Sequence, residues 1–140
     1  MLAVLAVAAL AFAGCSRSKD SAAKFTGERR PVAQAIEDLQ KAGQRGDAKK
    51  ICRDLLSASV EKRVASGGKD CQSVLKRQLS DADTFELTVV SVSLDGGKNG
   101  AAATHATARV KSTDNGKDRF DLFTLVRETG RWRIQSLGGV

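Results

Sequence analysis

The stretch that most constrains the fold is the segment 118–137, DRFDLFTLVRETGRWRIQSL. Two apolar-rich runs flank a short Glu128-Thr129-Gly130 turn, and this pattern predicts a β-hairpin. Strand alternation is expected to place one set of side chains on a common face: Phe120, Leu122, Val126, Trp132 and Ile134. Because an isolated hairpin is only marginally stable in water, the rest of the chain must cover this apolar face.

The segment before residue 80 has the apolar spacing of helices. Val32, Ala35, Ile36 and Leu39 form an amphipathic stripe, which predicts a helix that starts near Pro31. Two further helices are expected, and the residues that favour their starts or a break are Asp47, Asp70 and Ser57 or Ser59.

After Asp83 the apolar period changes from that of helices to that of strands. The run 84–94 predicts a first strand, and a shift of apolar parity near Val89 and Val90 indicates a β-bulge. A strand with one small apolar face follows at 102–111, and an Asp-Asn-Gly turn then leads to the final hairpin. The sequence therefore predicts an α+β domain with N-terminal helices packed on a curved antiparallel four-stranded sheet.

The first fifteen residues predict where the protein is located. The run 1–13 is apolar and uncharged, too short to span a bilayer, and typical of the core of a signal peptide. The sequence Phe12-Ala13-Gly14-Cys15 resembles the lipobox of bacterial lipoproteins. This resemblance implies that Cys15 is lipidated, that 1–14 is removed, and that the protein is exported and anchored on the outer side of the plasma membrane. The alternative is an ordinary leader with an incidental cysteine.

Residues 15–29 are polar and show neither the helical nor the strand spacing of apolar residues. This predicts a flexible tether before a domain at 30–140. If Cys15 is lipidated, Cys52 and Cys71 remain, and in an oxidising compartment they are expected to form a disulfide. The alternative is a pair of buried free thiols. The sequence lacks the CxxC motif that is typical of a redox centre. Two cysteines and one histidine are too few ligands for a metal site, so no metal site and no cofactor are expected.

The net charge of +7 is concentrated in one part of the chain. Residues 41–77 hold ten Lys or Arg against four Asp or Glu, whereas 78–140 hold eight against eight. The candidate contacts to an anionic lipid or wall polymer are Lys49, Lys50, Arg53, Lys62, Arg63, Lys76 and Arg77. The alternative is a solvated face that keeps the protein soluble. Nucleic acid is not an expected partner, because no aromatic residues are interleaved with this basic patch.

The order of helices and strands resembles the NTF2-like (cystatin-like, cone-shaped) fold, and is most similar to small actinobacterial lipoproteins with such a domain. The resemblance covers about 30–137 and is carried by the stripe in 32–39, Ile51, Cys52, Leu55, Leu56, Cys71, the strand 106–110 and the ending 125–134. The family has no single activity, so the resemblance implies a fold and not a function.

Enzymes of this family place Asp, His or Tyr inside the cone, where they act as acids or bases. In this chain the expected inward set holds no ionisable group, since Glu86 and Asp121 have the opposite parity and His105 lies on the polar face. The chain has no Tyr and no nucleophile or phosphate-loop motif. We therefore expect no catalytic residue.

Two non-catalytic uses of the domain remain. A small apolar ligand would be held by the candidate cavity lining Val89, Ala106, Ala108, Val110, Leu122, Trp132 and Ile134, although the alanines equally fit close helix packing. The open sheet face, expected to carry Phe123 and Leu125, would dock a second copy or an envelope protein. The sequence favours a non-catalytic binding or assembly module at the cell envelope. The alternative is a small-ligand carrier or an enzyme that uses the cone.

Overall fold

The structure, a computed structural model, describes residues 20–80, 86–96, 102–114 and 116–138. After a 3₁₀ turn at Ser21–Lys24 come the helices α1 (Arg29–Gln44), α2 (Ala48–Lys50), α3 (Ala58–Val64) and α4 (Cys71–Leu79). A π-helical turn, Ile51–Leu55, continues α2. The strands are β1 (Glu86–Asp95), β2 (His105–Asp114), β3 (Lys117–Glu128) and β4 (Arg131–Gly138).

The four strands form one antiparallel sheet in the order β1-β2-β3-β4, curved and not closed. The predicted α+β class is therefore confirmed, with four helices where three were expected, and the arrangement is consistent with the NTF2-like fold. In the described ranges, no helix has both the length and the apolar character to cross a bilayer.

The predicted helix starts at Asp47, Ser57 and Asp70 are confirmed by side-chain caps. Asp47 accepts a hydrogen bond from the Lys50 amide at 3.0 Å, and Ser57 accepts one from the Val60 amide at 3.4 Å. Asp70 caps α4 by accepting from the amide and the hydroxyl of Ser73. These two bonds, the hydroxyl first, hold the pKa of Asp70 below its usual value.

The predicted bulge in β1 is also confirmed, because Val89 pairs with Val110 and Ser91 with Arg109, which leaves Val90 as the extra residue. Leu87 and Val89 before the bulge and Val92 after it are all buried. The bulge thus restores the core-facing direction to the second half of the strand, where the parity of the sequence changes.

The core lies between α1 and the inner face of the sheet, which is the face that the helices cover. Val32 and Ile36 of α1 are fully buried with Leu125 and Ile134 of the last two strands. Cys52 and Cys71 are buried beside this core and form the predicted disulfide, with an S–S distance of 2.06 Å. It joins the π-helical turn to the first residue of α4.

Groups from the helical layer satisfy backbone groups at both sheet edges. At the β1 edge, the Leu87 amide donates to Gln40 Oε1 at 2.7 Å and the Val89 amide donates to Ser21 Oγ at 3.2 Å. At the β4 edge, the Ser57 amide donates to the Ile134 carbonyl at 2.9 Å and the Arg63 guanidinium to the Gln135 carbonyl at 3.1 Å. These bonds occupy edge positions that would otherwise be open to another strand.

The predicted tether at 15–29 is wrong from Asp20 onward. Ser21 and Ala22 are buried, and both donate to the buried carboxylate of Glu37: the Ala22 amide at 2.6 Å and the Ser21 hydroxyl at 3.3 Å. The Lys41 ammonium lies 3.9 Å from the other oxygen of Glu37. A buried carboxylate needs such donors, and this need orders a segment whose composition alone predicts disorder. Residues 1–19, including Cys15, lie outside the described residues.

Glu37→Ala is expected to lower the free energy of unfolding by about 2–4 kcal/mol, because it leaves the Ser21 and Ala22 donors buried without their acceptor. Glu37→Gln keeps an acceptor oxygen and a similar volume, so its expected cost is about 1 kcal/mol. Urea unfolding of both variants measures the difference. Equal losses would show that Glu37 does not hold the N-terminal turn through its acceptor.

Candidate functional site

The two faces of β3 are exchanged relative to the prediction, although the direction of the strand is as expected. Phe123 and Leu125 are buried in the core, whereas Phe120 and Leu122 are 54% and 48% exposed. The expectation that Phe120, Leu122 and Val126 line the interior was therefore wrong. So was the placing of Phe123 and Leu125 on the open face.

The cause is a difference of one residue in the β3–β4 turn. Glu128 pairs with Arg131, so the loop holds only Thr129 and Gly130, both with positive φ. The sequence pattern predicts a longer turn that includes Glu128. Because strand side chains alternate with a period of two, that single residue moves every β3 side chain to the other face.

Most of the predicted cavity lining belongs to the packed core. Leu122 points away from it, but the other six residues are buried: Val89, Ala106, Ala108, Val110, Trp132 and Ile134. They share one apolar cluster with Val32 and Ile36 of α1. The small β2 side chains thus let α1 lie close to the sheet, which is the packing alternative for the alanines.

The exchange of the two faces of β3 also brings ionisable groups to the inner face, where none was expected. The register sets Asp121 opposite the buried Val110 and Arg127 opposite Trp132. The Arg127 guanidinium lies 3.2 Å from the Glu28 carboxylate and 4.8 Å from the centroid of the Trp132 ring. The ion pair and the aromatic contact hold Arg127 in place at the inner face.

A cavity of about 270 Å³ lies at the end of the inner face, between α1 and the β3–β4 turn. Pro31, Asp38 and Arg131 contribute to its lining, and Trp132 forms part of its wall. Trp132 is the one residue that this cavity shares with the predicted lining. Trp132 is 6% exposed, and its buried Nε1 has no hydrogen-bond partner within the described part of the chain. No described group of His, Cys, Asp and Glu residues has the arrangement of a metal site.

The outer sheet face is the surface opposite α1, with Phe120 and Leu122 on β3 and Arg109 and Lys111 beside them on β2. The Arg109 guanidinium lies 4.6 Å from the centroid of the Phe120 ring. The Lys111 ammonium lies 3.2 Å from Asp118. The Thr113 hydroxyl first, and Lys111 second, hold the pKa of Asp118 below its usual value.

His105 lies on the same outer face as these residues, since it pairs with Val126 of β3. Its side chain is exposed, as strand alternation predicts, and its Nδ1 lies 3.0 Å from the Thr104 hydroxyl. The outer sheet face therefore consists of an apolar pair with basic, acidic and neutral polar neighbours.

The predicted basic residues of the helical segment are all exposed, but they differ in their contacts. The Arg63 guanidinium donates a hydrogen bond to the Gln135 carbonyl and so satisfies a backbone acceptor at the β4 edge. Two open grooves carry most of the others. The first, about 460 Å³, is lined by Lys49, Lys50 and Arg53, and the second, about 510 Å³, by Lys69, Lys76 and Arg77.

We call these six cations the helical basic surface. Lys69 was not among the predicted contacts, because it lies in the Gly-Gly turn and not on a helix face. Since Lys69 directly precedes Asp70, the predicted N-cap of α4, its sequence position could have placed it beside the cations of that helix. Comparison with protein-family models, with curated proteins and with solved structures finds no match for this chain.

Leu125→Ala is expected to lower the free energy of unfolding by about 2–5 kcal/mol, because the side chain is fully buried and its loss leaves a cavity. Leu122→Ala, three residues earlier on the same strand, is the matched control with an expected cost of about 0.5 kcal/mol. Denaturant unfolding of both variants tests the orientation of β3. A larger loss for Leu122→Ala would reverse the two faces.

Proposed function

We propose that this chain is an exported lipoprotein, anchored through Cys15, whose NTF2-like domain is a non-catalytic binding or assembly module at the cell envelope. The lipobox-like sequence Phe12-Ala13-Gly14-Cys15 supports the anchor. The Cys52–Cys71 disulfide supports export, since disulfides persist mainly in oxidising compartments.

The observation that carries the binding role is the exposed pair Phe120 and Leu122 on the outer sheet face. An antiparallel sheet covered on one side normally has polar residues on its other side, whereas here two large apolar side chains alternate along one strand. Because backbone groups at the two sheet edges are bonded to the helical layer, a partner is better placed on the face than on an edge.

The proposed occupant of this face is a second copy of the chain. Residues 78–140, the part of the chain that contains the four strands, hold eight cationic and eight anionic side chains, so two copies of this part do not repel each other through net charge. A two-fold contact sets each surface against itself, and the outer face offers both an apolar pair and charges of both signs, Arg109 and Asp118. The excess positive charge lies in the helical segment.

Sedimentation equilibrium of the chain from Ser16 onward is expected to show a reversible dimer. Phe120→Thr/Leu122→Thr, which keeps strand propensity but removes the apolar pair, is expected to weaken the dimer about tenfold or more. Leu137→Thr removes another exposed apolar side chain, one that pairs with the inward-facing Phe123, and is expected to leave the dimer unchanged.

A wild-type chain that stays monomeric up to a concentration on the order of 1 mM would overturn the proposed dimer. Equal weakening by Leu137→Thr would also contradict it, since the effect would then not depend on the outer face. Circular dichroism of each variant confirms that the fold is kept.

A further inference from the structure

We propose that the helical basic surface docks on an anionic lipid bilayer, so that the domain lies with α2 and α4 against the membrane. That the domain is held near a membrane rests on the proposed anchor at Cys15. The electrostatic attraction between the helical basic surface and the lipid rests on the charges of the described residues. The partner is identified by its chemistry: a surface with many negatively charged headgroups.

Within the described residues, the cations of this surface form no ion pair. In residues 20–80, 86–96, 102–114 and 116–138, the ion pairs involve only Lys41, Lys111 and Arg127 among the basic side chains. All six cations of the helical basic surface are exposed. Their charge is therefore available to an external anion.

The carboxylates beside these cations only partly offset them. Asp47 and Asp54 line the first groove and Asp70 lines the second, so six cations stand against three carboxylates. Asp47 and Asp70 already accept hydrogen bonds from helix amides as N-caps. Both grooves keep a net positive charge.

The disulfide makes the two grooves one unit. Cys52 precedes Arg53 in the chain, and Cys71 begins the helix that carries Lys76 and Arg77. A covalent link between the π-helical turn and α4 keeps the two groups of cations in a fixed arrangement. Cations that are already held together lose less conformational entropy when they meet a charged surface.

The described chain begins at the same end of the helical layer. Asp20 lies 3.7 Å from Lys41 near the C-terminal end of α1, and the Asp47 amide donates to the Ala42 carbonyl one residue further along. From Cys15 to Asp20 an extended chain spans at most about 18 Å. A lipid on Cys15 would therefore lie within reach of the groove that holds Lys49 and Lys50.

The chemistry of the surface favours headgroups over other polyanions. The segment 48–79 contains no Phe, Trp or Tyr, so it offers no stacking platform for the bases of a single-stranded nucleic acid. Four of the six cations are lysines, which act as point charges without the bidentate geometry of Arg. Both grooves are open, which suits a broad charged surface better than one small enclosed anion.

The test uses the chain from Ser16 onward, without Cys15, so that no lipid anchor contributes. Its partition onto phosphatidylcholine vesicles with about 30% phosphatidylglycerol is measured by co-sedimentation at low salt and at about 0.5 M salt. We expect binding at low salt, release at high salt and no binding to vesicles of phosphatidylcholine alone. Absence of binding at low salt would overturn the proposal.

A matched pair of triple variants locates the interaction. Lys49→Gln/Lys50→Gln/Arg53→Gln is expected to reduce the partition coefficient about a hundredfold, at about fivefold for each cation. Lys117→Gln/Arg119→Gln/Arg131→Gln removes the same charge from exposed positions on the sheet and is expected to reduce it less than about tenfold. Equal losses would show that only net charge matters and would contradict a docking surface.

Competition identifies the class of polyanion. A soluble wall polymer or DNA that displaces the protein from vesicles at a much lower charge concentration than the lipid would overturn the assignment to a bilayer. Phe120→Thr/Leu122→Thr is included to separate this proposal from the proposed dimer, because it removes the outer apolar pair and leaves the six cations. Vesicle binding that fails while the dimer persists counts against this inference alone.

Discussion

The packing of α1 against the inner face of the sheet is the interaction on which the rest of the structure depends. Val32 and Ile36 on the helix meet Leu125 and Ile134 on the last two strands, and all four side chains are fully buried. The small side chains of β2 allow this close approach. Since burial of these residues decides which way β3 faces, it also decides that Phe120 and Leu122 remain exposed on the other side.

The same packing explains the state of the sheet edges and of the N-terminal turn. With α1 in place, the Gln40 side chain accepts a hydrogen bond from the Leu87 amide at the β1 edge. Glu37 accepts hydrogen bonds from Ser21 and Ala22, and the Ser21 hydroxyl in turn accepts one from the Val89 amide of the same edge. The helical layer thus supplies polar contacts as well as apolar cover. It leaves accessible two surfaces of different chemistry: an outer sheet face with an apolar pair among charged and polar neighbours, and a cationic surface on α2 and α4.

Much of this fold follows from local sequence patterns. The caps at Asp47, Ser57 and Asp70, the bulge near Val90 and the pairing of Cys52 with Cys71 were all predictable, because each depends on a few neighbouring residues or on elimination among three cysteines. The exposure of the helical cations was predictable for the same reason, since charge runs on short helices seldom become buried.

The outer sheet face was assigned incorrectly because β3 carries apolar residues at both parities. Phe120, Leu122 and Val126 alternate as regularly as Phe123 and Leu125, so periodicity cannot choose between the two sets. The choice depends on whether Glu128 belongs to the strand or to the turn, and that depends on Thr129 adopting a positive φ that a β-branched residue rarely adopts. Likewise, no local pattern shows that Ser21 and Ala22 are bound by a carboxylate fifteen residues away from Ala22.

The most direct test of the central claim is nuclear magnetic resonance of the chain with a soluble paramagnetic relaxation agent, which reports side-chain exposure without any substitution. If α1 covers the inner face as described, the agent will relax the Leu122 methyl and Phe120 ring signals strongly, and those of Leu125 and Phe123 only weakly. Strong relaxation of Leu125 and Phe123 with protection of Leu122 would place β3 in the opposite orientation and would remove the basis for the outer sheet face as a docking surface.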